Sequence, residues 1–111
     1  MISELLDDRV KLINAAYEGN LSAVKEFIVK GVDVNSTIDN DRMESTALMA
    51  ASKKGHKDIV QLLIDNGVDV LAKIGGRTAL MCASEEGYMD IVKLLIDNGA
   101  APIAVGSGIC Q

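Results

Sequence analysis

The side chains best suited to metal binding or redox chemistry are two cysteines and one histidine. Cys82 lies inside a helical pattern, Cys110 is the penultimate residue, and His56 is the single histidine of the sequence. There is no C-x-x-C spacing, and three such residues are too few and too scattered for a zinc site. We therefore predict no metal and no cofactor. A redox pair is the alternative, but Cys82 occupies a position where a small buried residue is expected.

His56 and a glycine-rich stretch are the candidates for catalysis or phosphate binding. His56 follows a glycine at a predicted helix start, and Tyr88 stands at the equivalent place 32 residues later. A position that accepts either ring suits packing and hydrogen bonding rather than general-base catalysis. Gly75-Gly76-Arg77 lacks the preceding strand and the following Lys-Ser/Thr of a phosphate-binding loop, so we predict a tight turn there. The adjacent carboxylates Glu85 and Glu86 point about 100° apart on a helix, and we expect them to be solvated.

Composition restricts the partners and the location. The chain has 111 residues, 49% of them hydrophobic and 3% aromatic, which suits one domain of closely packed helices. Its net charge is −5, from 11 basic and 16 acidic residues, and it has no basic run to neutralise a row of phosphates. The sequence lacks both a signal peptide and an apolar stretch of membrane-spanning length. We therefore expect a cytoplasmic protein that binds neither nucleic acid nor membranes.

A repeat positions these residues. The segment 45–69 (STALMAASKKGHKDIVQLLIDNGVD) reappears with few changes at 77–101 (RTALMCASEEGYMDIVKLLIDNGAA), an offset of 32 residues. A weaker copy covers residues 10–33, with Gly19 aligned to Gly55 at an offset of 36 residues. Such periods are typical of repeat proteins in which each unit stacks on the next.

Each copy predicts two helices separated by a glycine. In the second copy Thr46 caps a run of about two turns that ends at Gly55, where a left-handed backbone is accessible. The linkers, at about residues 34–45 and 70–77, are rich in Asn, Asp, Ser and Gly and predict extended, turn-forming loops. After Gly55 an apolar stripe at helical spacing predicts the second helix, and its residues are Ile59, Val60, Leu62, Leu63 and Ile64.

This pattern resembles the ankyrin-repeat family. The segments Thr46–Ala51 (TALMAA) and Thr78–Ala83 (TALMCA) match the family motif T-P-L-H-x-A, and Gly55-His56 matches its central G-H. The proline and histidine of the motif are replaced, which predicts lower stability without another fold. The resemblance implies an all-α fold, an ankyrin-repeat solenoid of helix-turn-helix units joined by extended loops or β-turns. Its units are an N-terminal capping repeat at 1–35, with Ser3 as a candidate N-cap, repeats at 36–69 and 70–101, and an uncharged tail at 102–111.

The resemblance also implies a non-catalytic protein–protein interaction module, because similar proteins bind partners through loop tips and the outward face of their first helices. Tyr17, Met43 and Ile74 are the apolar anchors expected of such a surface. For each residue the alternative is an ordinary solvated position. Aligning the family's contact positions gives a set that we name the binding strip: Arg9, Tyr17 and Glu18 in the first repeat, Arg42, Met43, Ser45, Lys53 and Lys54 in the second, and Ile74, Arg77, Glu85 and Glu86 in the third.

The C-terminal end departs from a typical terminal repeat. Terminal repeats normally carry a polar outer face, yet the third copy keeps the apolar set of the second, and no charge follows Asn98. We therefore expect an uncapped end that is covered by the tail, by a second subunit or a partner, or by further repeats of a longer array. Self-assembly as a homo-oligomer through this end, with Ile91 and Leu95 in the contact, is the alternative function.

Overall fold

Pairs of antiparallel helices form the described part of the molecule, so the all-α expectation is confirmed. The computed structural model describes the backbone of residues 2–40 and 43–100 and the side chains of residues 8–37 and 45–100. We call α1–α2, α3–α4 and α5–α6 the first, second and third helix pairs. The elements are α1 (Ile2–Glu18), α2 (Leu21–Val29), β1 (Thr37–Asn40), β2 (Met43–Thr46), α3 (Ala47–Lys54), α4 (Lys57–Asp65), α5 (Ala79–Glu86) and α6 (Met89–Asp97).

The first helices of the second and third pairs begin and end as the sequence predicts. Thr46 Oγ1 accepts a hydrogen bond from the Met49 backbone N–H at 3.1 Å, which satisfies one of the unpaired donors of the first turn. Gly55 ends α3 in the left-handed conformation. The early start of the first helix is confirmed, but Ser3 is not its N-cap, because α1 begins at Ile2 and Ser3 lies inside the helix.

The linkers are extended and turn-forming as predicted, and their extended segments pair as short hairpins. In the first linker β1 pairs antiparallel with β2, and Thr37 lies opposite Thr46. The second linker is four residues shorter in the repeat alignment, and its pairing is reduced to one bridge, in which Ile74 and Arg77 exchange two backbone hydrogen bonds of 3.0 Å. Gly75 and Gly76 both have positive φ, as a two-residue hairpin turn requires. The tight turn predicted at this place is confirmed.

The helices stack in two layers that share one core. In one layer α3 packs between α1 and α5, and in the other α4 packs between α2 and α6. The segments that follow α2 and α4 also contact each other, since Asn35 Oδ1 accepts a hydrogen bond of 2.7 Å from the backbone N–H of Asp69. The largest fully buried side chains come from every pair: Leu12, Ile13, Val24, Leu48, Ile59, Val60, Leu63, Ile91 and Leu95.

One buried hydroxyl within this core gives a testable prediction. Ser52 is fully buried in α3, and its Oγ has no hydrogen-bond partner among the described residues. We expect Ser52→Ala to raise the free energy of unfolding by about 1 kcal/mol, because it removes an unsatisfied polar group from the interior of a helix. Chemical denaturation measures the change. The matched control is Ser84→Ala at the same position of the third pair, where the exposed hydroxyl limits the gain to helix propensity, about 0.5 kcal/mol. A loss of stability in Ser52→Ala would mean that the hydroxyl has a partner in solution.

Candidate functional site

The ends of the first helices bring half of the binding strip together. Because α1, α3 and α5 pack side by side and each ends before an aligned glycine, their last residues lie in register along the stack. The side chains are exposed, and their charge changes from acidic to basic and back to acidic along the stack. The last two residues are Tyr17 and Glu18 in α1, Lys53 and Lys54 in α3, and Glu85 and Glu86 in α5.

Tyr17 and Lys54 form a contact between the first and second pairs. The Lys54 ammonium nitrogen lies 5.0 Å from the centroid of the Tyr17 ring, which is the geometry of a cation–π interaction. The Tyr17 ring remains 36% exposed. Its backbone carbonyl accepts a hydrogen bond of 3.0 Å from His56 Nε2, which requires the Nε2–H tautomer when the ring is neutral. Lys54 therefore contacts the Tyr17 ring, whereas His56 contacts the backbone of the same residue.

Arg77 and Glu85 form an ion pair within the third repeat. The guanidinium donates two hydrogen bonds to the carboxylate, of which the one from Nη1 to Oε2 is 2.9 Å long. These bonds lower the pKa of Glu85 below its ordinary value and raise the pKa of Arg77, with a smaller contribution to Arg77 from the Cys82 thiol. Both partners are exposed, so the pair orders the surface more than it stabilises the fold.

The loop tips hold the remaining strip residues of the second and third repeats. Ile74 is half-buried beside the tight turn, and the Ser45 hydroxyl donates to the Thr46 carbonyl at 2.9 Å. Met43 begins β2, but its side chain lies outside the described residues, as does all of Arg42. The structure therefore brings Ile74 next to Arg77 and leaves the tip of the first hairpin unassigned.

Arg9 does not occupy a loop tip. The alignment equates it with Ser45 and Arg77, which precede helices, but Arg9 lies well inside α1. The reason is that α1 has 17 residues whereas α3 has eight, so the first helix covers the region where the other repeats have a hairpin. The side chain is exposed, but it is separated from Tyr17 by about two helical turns.

His56 and Tyr88 have equivalent roles between neighbouring pairs, a contact that the sequence reasoning did not identify. A Cβ placed on Gly19 would lie 2.6 Å from His56 Cε1, and a Cβ placed on Gly55 would lie 2.7 Å from Tyr88 Cζ. Each ring thus covers the helix-ending glycine of the preceding pair. The signal in the sequence was the ring after the central glycine of both later repeats, where the first repeat has Asn20.

The two residues expected to mediate self-assembly lie in the core instead. Ile91 is 2% exposed and Leu95 is fully buried, because α6 turns this side towards α5 and α4. The apolar side chains that are exposed in the third pair are Met81, Tyr88, Met89 and Ile96.

Membrane-spanning helices and metal-binding clusters are both absent from the described residues. Within residues 2–40 and 43–100, no helix combines the length and the apolar character needed to cross a bilayer. Over the described side chains, no group of three or more His, Cys, Asp and Glu residues is arranged to hold a metal ion.

Comparison with known proteins connects this geometry with a family. The family described as ankyrin repeats (3 copies) matches residues 12–105. Serine/threonine-protein kinase 12 of Arabidopsis thaliana is 40% identical over 67 residues, which are 60% of this chain and 14% of that protein. The ankyrin repeat and KH domain-containing protein mask-1 of Caenorhabditis elegans is 44% identical over 59 residues, 53% of this chain and 2% of that protein. The mitochondrial liver isoform of glutaminase from Rattus norvegicus is 39% identical over 56 residues, 50% of this chain and 9% of that protein. The chain therefore corresponds to a small part of each relative.

Proposed function

Because the chain belongs to the ankyrin-repeat family, whose repeats generally mediate contacts between proteins, we propose that it is a non-catalytic module that binds a partner protein through the binding strip. The observation that carries this proposal is the ordered, exposed surface at the ends of α1, α3 and α5. The Tyr17 ring is held against the Lys54 ammonium, and the Arg77 guanidinium is held by Glu85. Side chains that are already oriented lose less conformational entropy when a partner binds.

The charges of the strip define the chemistry of the partner. Lys53 and Lys54 stand between Glu18 on one side and the Glu85-Glu86 pair on the other. Since Arg77 already pairs with Glu85, a complementary surface carries carboxylates opposite the lysines, basic groups opposite Glu18 and Glu86, and an apolar recess for the Tyr17 ring. A uniformly acidic or basic polymer does not satisfy this pattern, which favours a folded protein over a nucleic acid.

The test compares the chain with a triple variant of the strip. We expect Tyr17→Ala, Lys53→Glu, Lys54→Glu to weaken partner binding by at least about tenfold, because the variant removes an aromatic anchor and reverses the basic centre. The partner is captured from extract with the wild-type chain, identified and purified, and its affinity for both forms is measured by calorimetry. Circular dichroism verifies that the variant keeps its helices.

A matched control reverses two charges away from the strip. Lys25 in α2 and Lys93 in α6 are exposed on second helices, so Lys25→Glu, Lys93→Glu is expected to change the affinity little. If the control weakens binding as much as the triple variant does, net charge rather than the strip governs the interaction. If the triple variant binds as tightly as the wild type, the strip is not the binding surface.

A second candidate function is self-assembly through the third helix pair. The observation that favours it is the exposure there of Met81, Met89 and Ile96. Sedimentation equilibrium distinguishes the two functions, since a concentration-dependent dimer supports self-assembly and a monomer that retains its partner supports the strip.

A further inference from the structure

The third helix pair exposes a surface that the following pair covers in the first two pairs. Three aligned positions are buried wherever another pair follows. In the third pair the same positions are open: Met81 is 37% exposed against 5% for Met49, Ser84 is exposed, and Val92 is half-buried. The aligned sets are Ile13, Ala16 and Val24 in the first pair, Met49, Ser52 and Val60 in the second, and Met81, Ser84 and Val92 in the third.

A ring site accompanies this surface. His56 covers Gly19 and Tyr88 covers Gly55, whereas no heavy atom of the described residues lies within 4 Å of a Cβ placed on Gly87. The backbone of Gly87 has φ of +80°, the same value as Gly55. The site on which an imidazole or phenol ring rests in the two earlier pairs is therefore formed but open in the third.

The other end of the stack is built differently. Ala47 and Ala50 in the second pair, like Ala79 and Cys82 in the third, are buried against the preceding pair. The first pair has Lys11 and Asn14 at these positions, both exposed, and Asn20 where the ring would be. Polar residues thus close the N-terminal end. A second copy stacked head to tail would press the Lys11 ammonium against apolar side chains and would supply no ring.

We propose that the C-terminal face, defined as Met81, Ser84, Gly87, Val92 and Ile96, binds a helical hairpin of a partner protein. This face repeats the one with which the second pair binds the third. Each of the five residues is identical to its counterpart in the second pair, and the third pair shows what such a face accepts. The counterparts are Met49, Ser52, Gly55, Val60 and Ile64.

The interface template also specifies the partner. The first helix of the partner's hairpin carries small residues at the positions of Ala79 and Cys82. A His or Tyr ring follows the glycine between the two helices of that hairpin, as Tyr88 follows Gly87. Residues 101–111 lie outside the described part of the chain and contain no histidine or aromatic residue, so they do not supply the ring. The face lies at the end of the stack, whereas the binding strip runs along its side, so this proposal is independent of binding through the strip and competes only with self-assembly through the third pair.

The test attaches a probe hairpin to the full chain. A copy of residues 70–100 is fused after Gln111 through a flexible Gly/Ser linker, which raises its effective concentration to the millimolar range and offsets the cost of ordering it. We expect the midpoint of thermal unfolding to rise and amide exchange in the third pair, at Ser84 and Val92, to slow by at least about tenfold. A probe in which the copied Tyr88 is replaced by alanine is expected to lose most of this effect.

The blocking variant is Ser84→Arg in the original chain. Because Ser84 is exposed, this change is expected not to destabilise the chain without a probe, but to abolish the effect of the probe. The proposal is overturned if the probe does not slow exchange at the face, or if Ser84→Arg leaves the effect intact. It is also overturned if the chain alone sediments as a dimer that Ser84→Arg dissociates, because the face then binds a second copy.

Discussion

Replacing Leu63 by alanine is expected to lower the free energy of unfolding by about 3 kcal/mol, a large part of the stability of a domain of this size. Leu63 is fully buried in α4, and α4 packs against α2, α3 and α6. Removing its isobutyl group loses hydrophobic burial and leaves a cavity that the neighbouring helices fill only partly. Urea denaturation followed by circular dichroism measures the loss.

Leu71 provides the matched control for this prediction. It lies in the linker after α4 and is 53% exposed. Leu71→Ala therefore removes the same atoms from a solvent-exposed position and is expected to lower the free energy of unfolding by less than about 0.5 kcal/mol. Comparable losses in the two variants would contradict the assignment of Leu63 to the shared core. A transition that splits into two steps in Leu63→Ala would show that the helix pairs unfold separately.

The helices were predictable from the sequence because the information that fixes them is local. Thr46 and Gly55 bound α3 through a side-chain cap and a left-handed backbone, and both signals are present in the residues themselves. The apolar stripe of α4 likewise identified Ile59, Val60 and Leu63, which are buried. The strands were missed because residues 37–46 are mostly polar, and their pairing depends on backbone hydrogen bonds across a turn rather than on apolar alternation.

The places of the candidate-site residues could be predicted only where the aligned repeats have helices of the same length. The ends of α3 and α5 were placed correctly from the repeat, which brought Lys53 beside Glu85 in neighbouring pairs. Alignment alone equated Arg9 with residues that precede a helix, although the candidate N-cap at Ser3 already indicated a first helix that contains Arg9. The pairing of Arg77 with Glu85 crosses a turn and a helix start, so only the three-dimensional structure reveals that the two charges are joined.

Gly55→Ala is expected to be more damaging than the chemically identical change Gly87→Ala. Both glycines end a first helix with φ of +80°, and an alanine in the left-handed region costs about 1 kcal/mol at either position. At Gly55 the new Cβ would also lie 2.7 Å from Tyr88 Cζ, so the ring must move away from its contact, whereas at Gly87 no described atom is near. Overpacking of this kind adds about 1–2 kcal/mol, for a total of about 2–3 kcal/mol at Gly55.

The double variant Gly55→Ala, Tyr88→Ala separates backbone strain from the ring contact. Removing the ring removes the three atoms that lie nearest to the added Cβ, so Gly55→Ala in the Tyr88→Ala background is expected to cost about 1 kcal/mol, as Gly87→Ala does. The coupling between the two substitutions, obtained from denaturation of all four forms, then measures the contact between the second and third helix pairs. Equal costs for Gly55→Ala with and without Tyr88 would mean that the ring does not rest on the glycine. In that case the open site at Gly87 would no longer support the proposal that a partner's ring binds there.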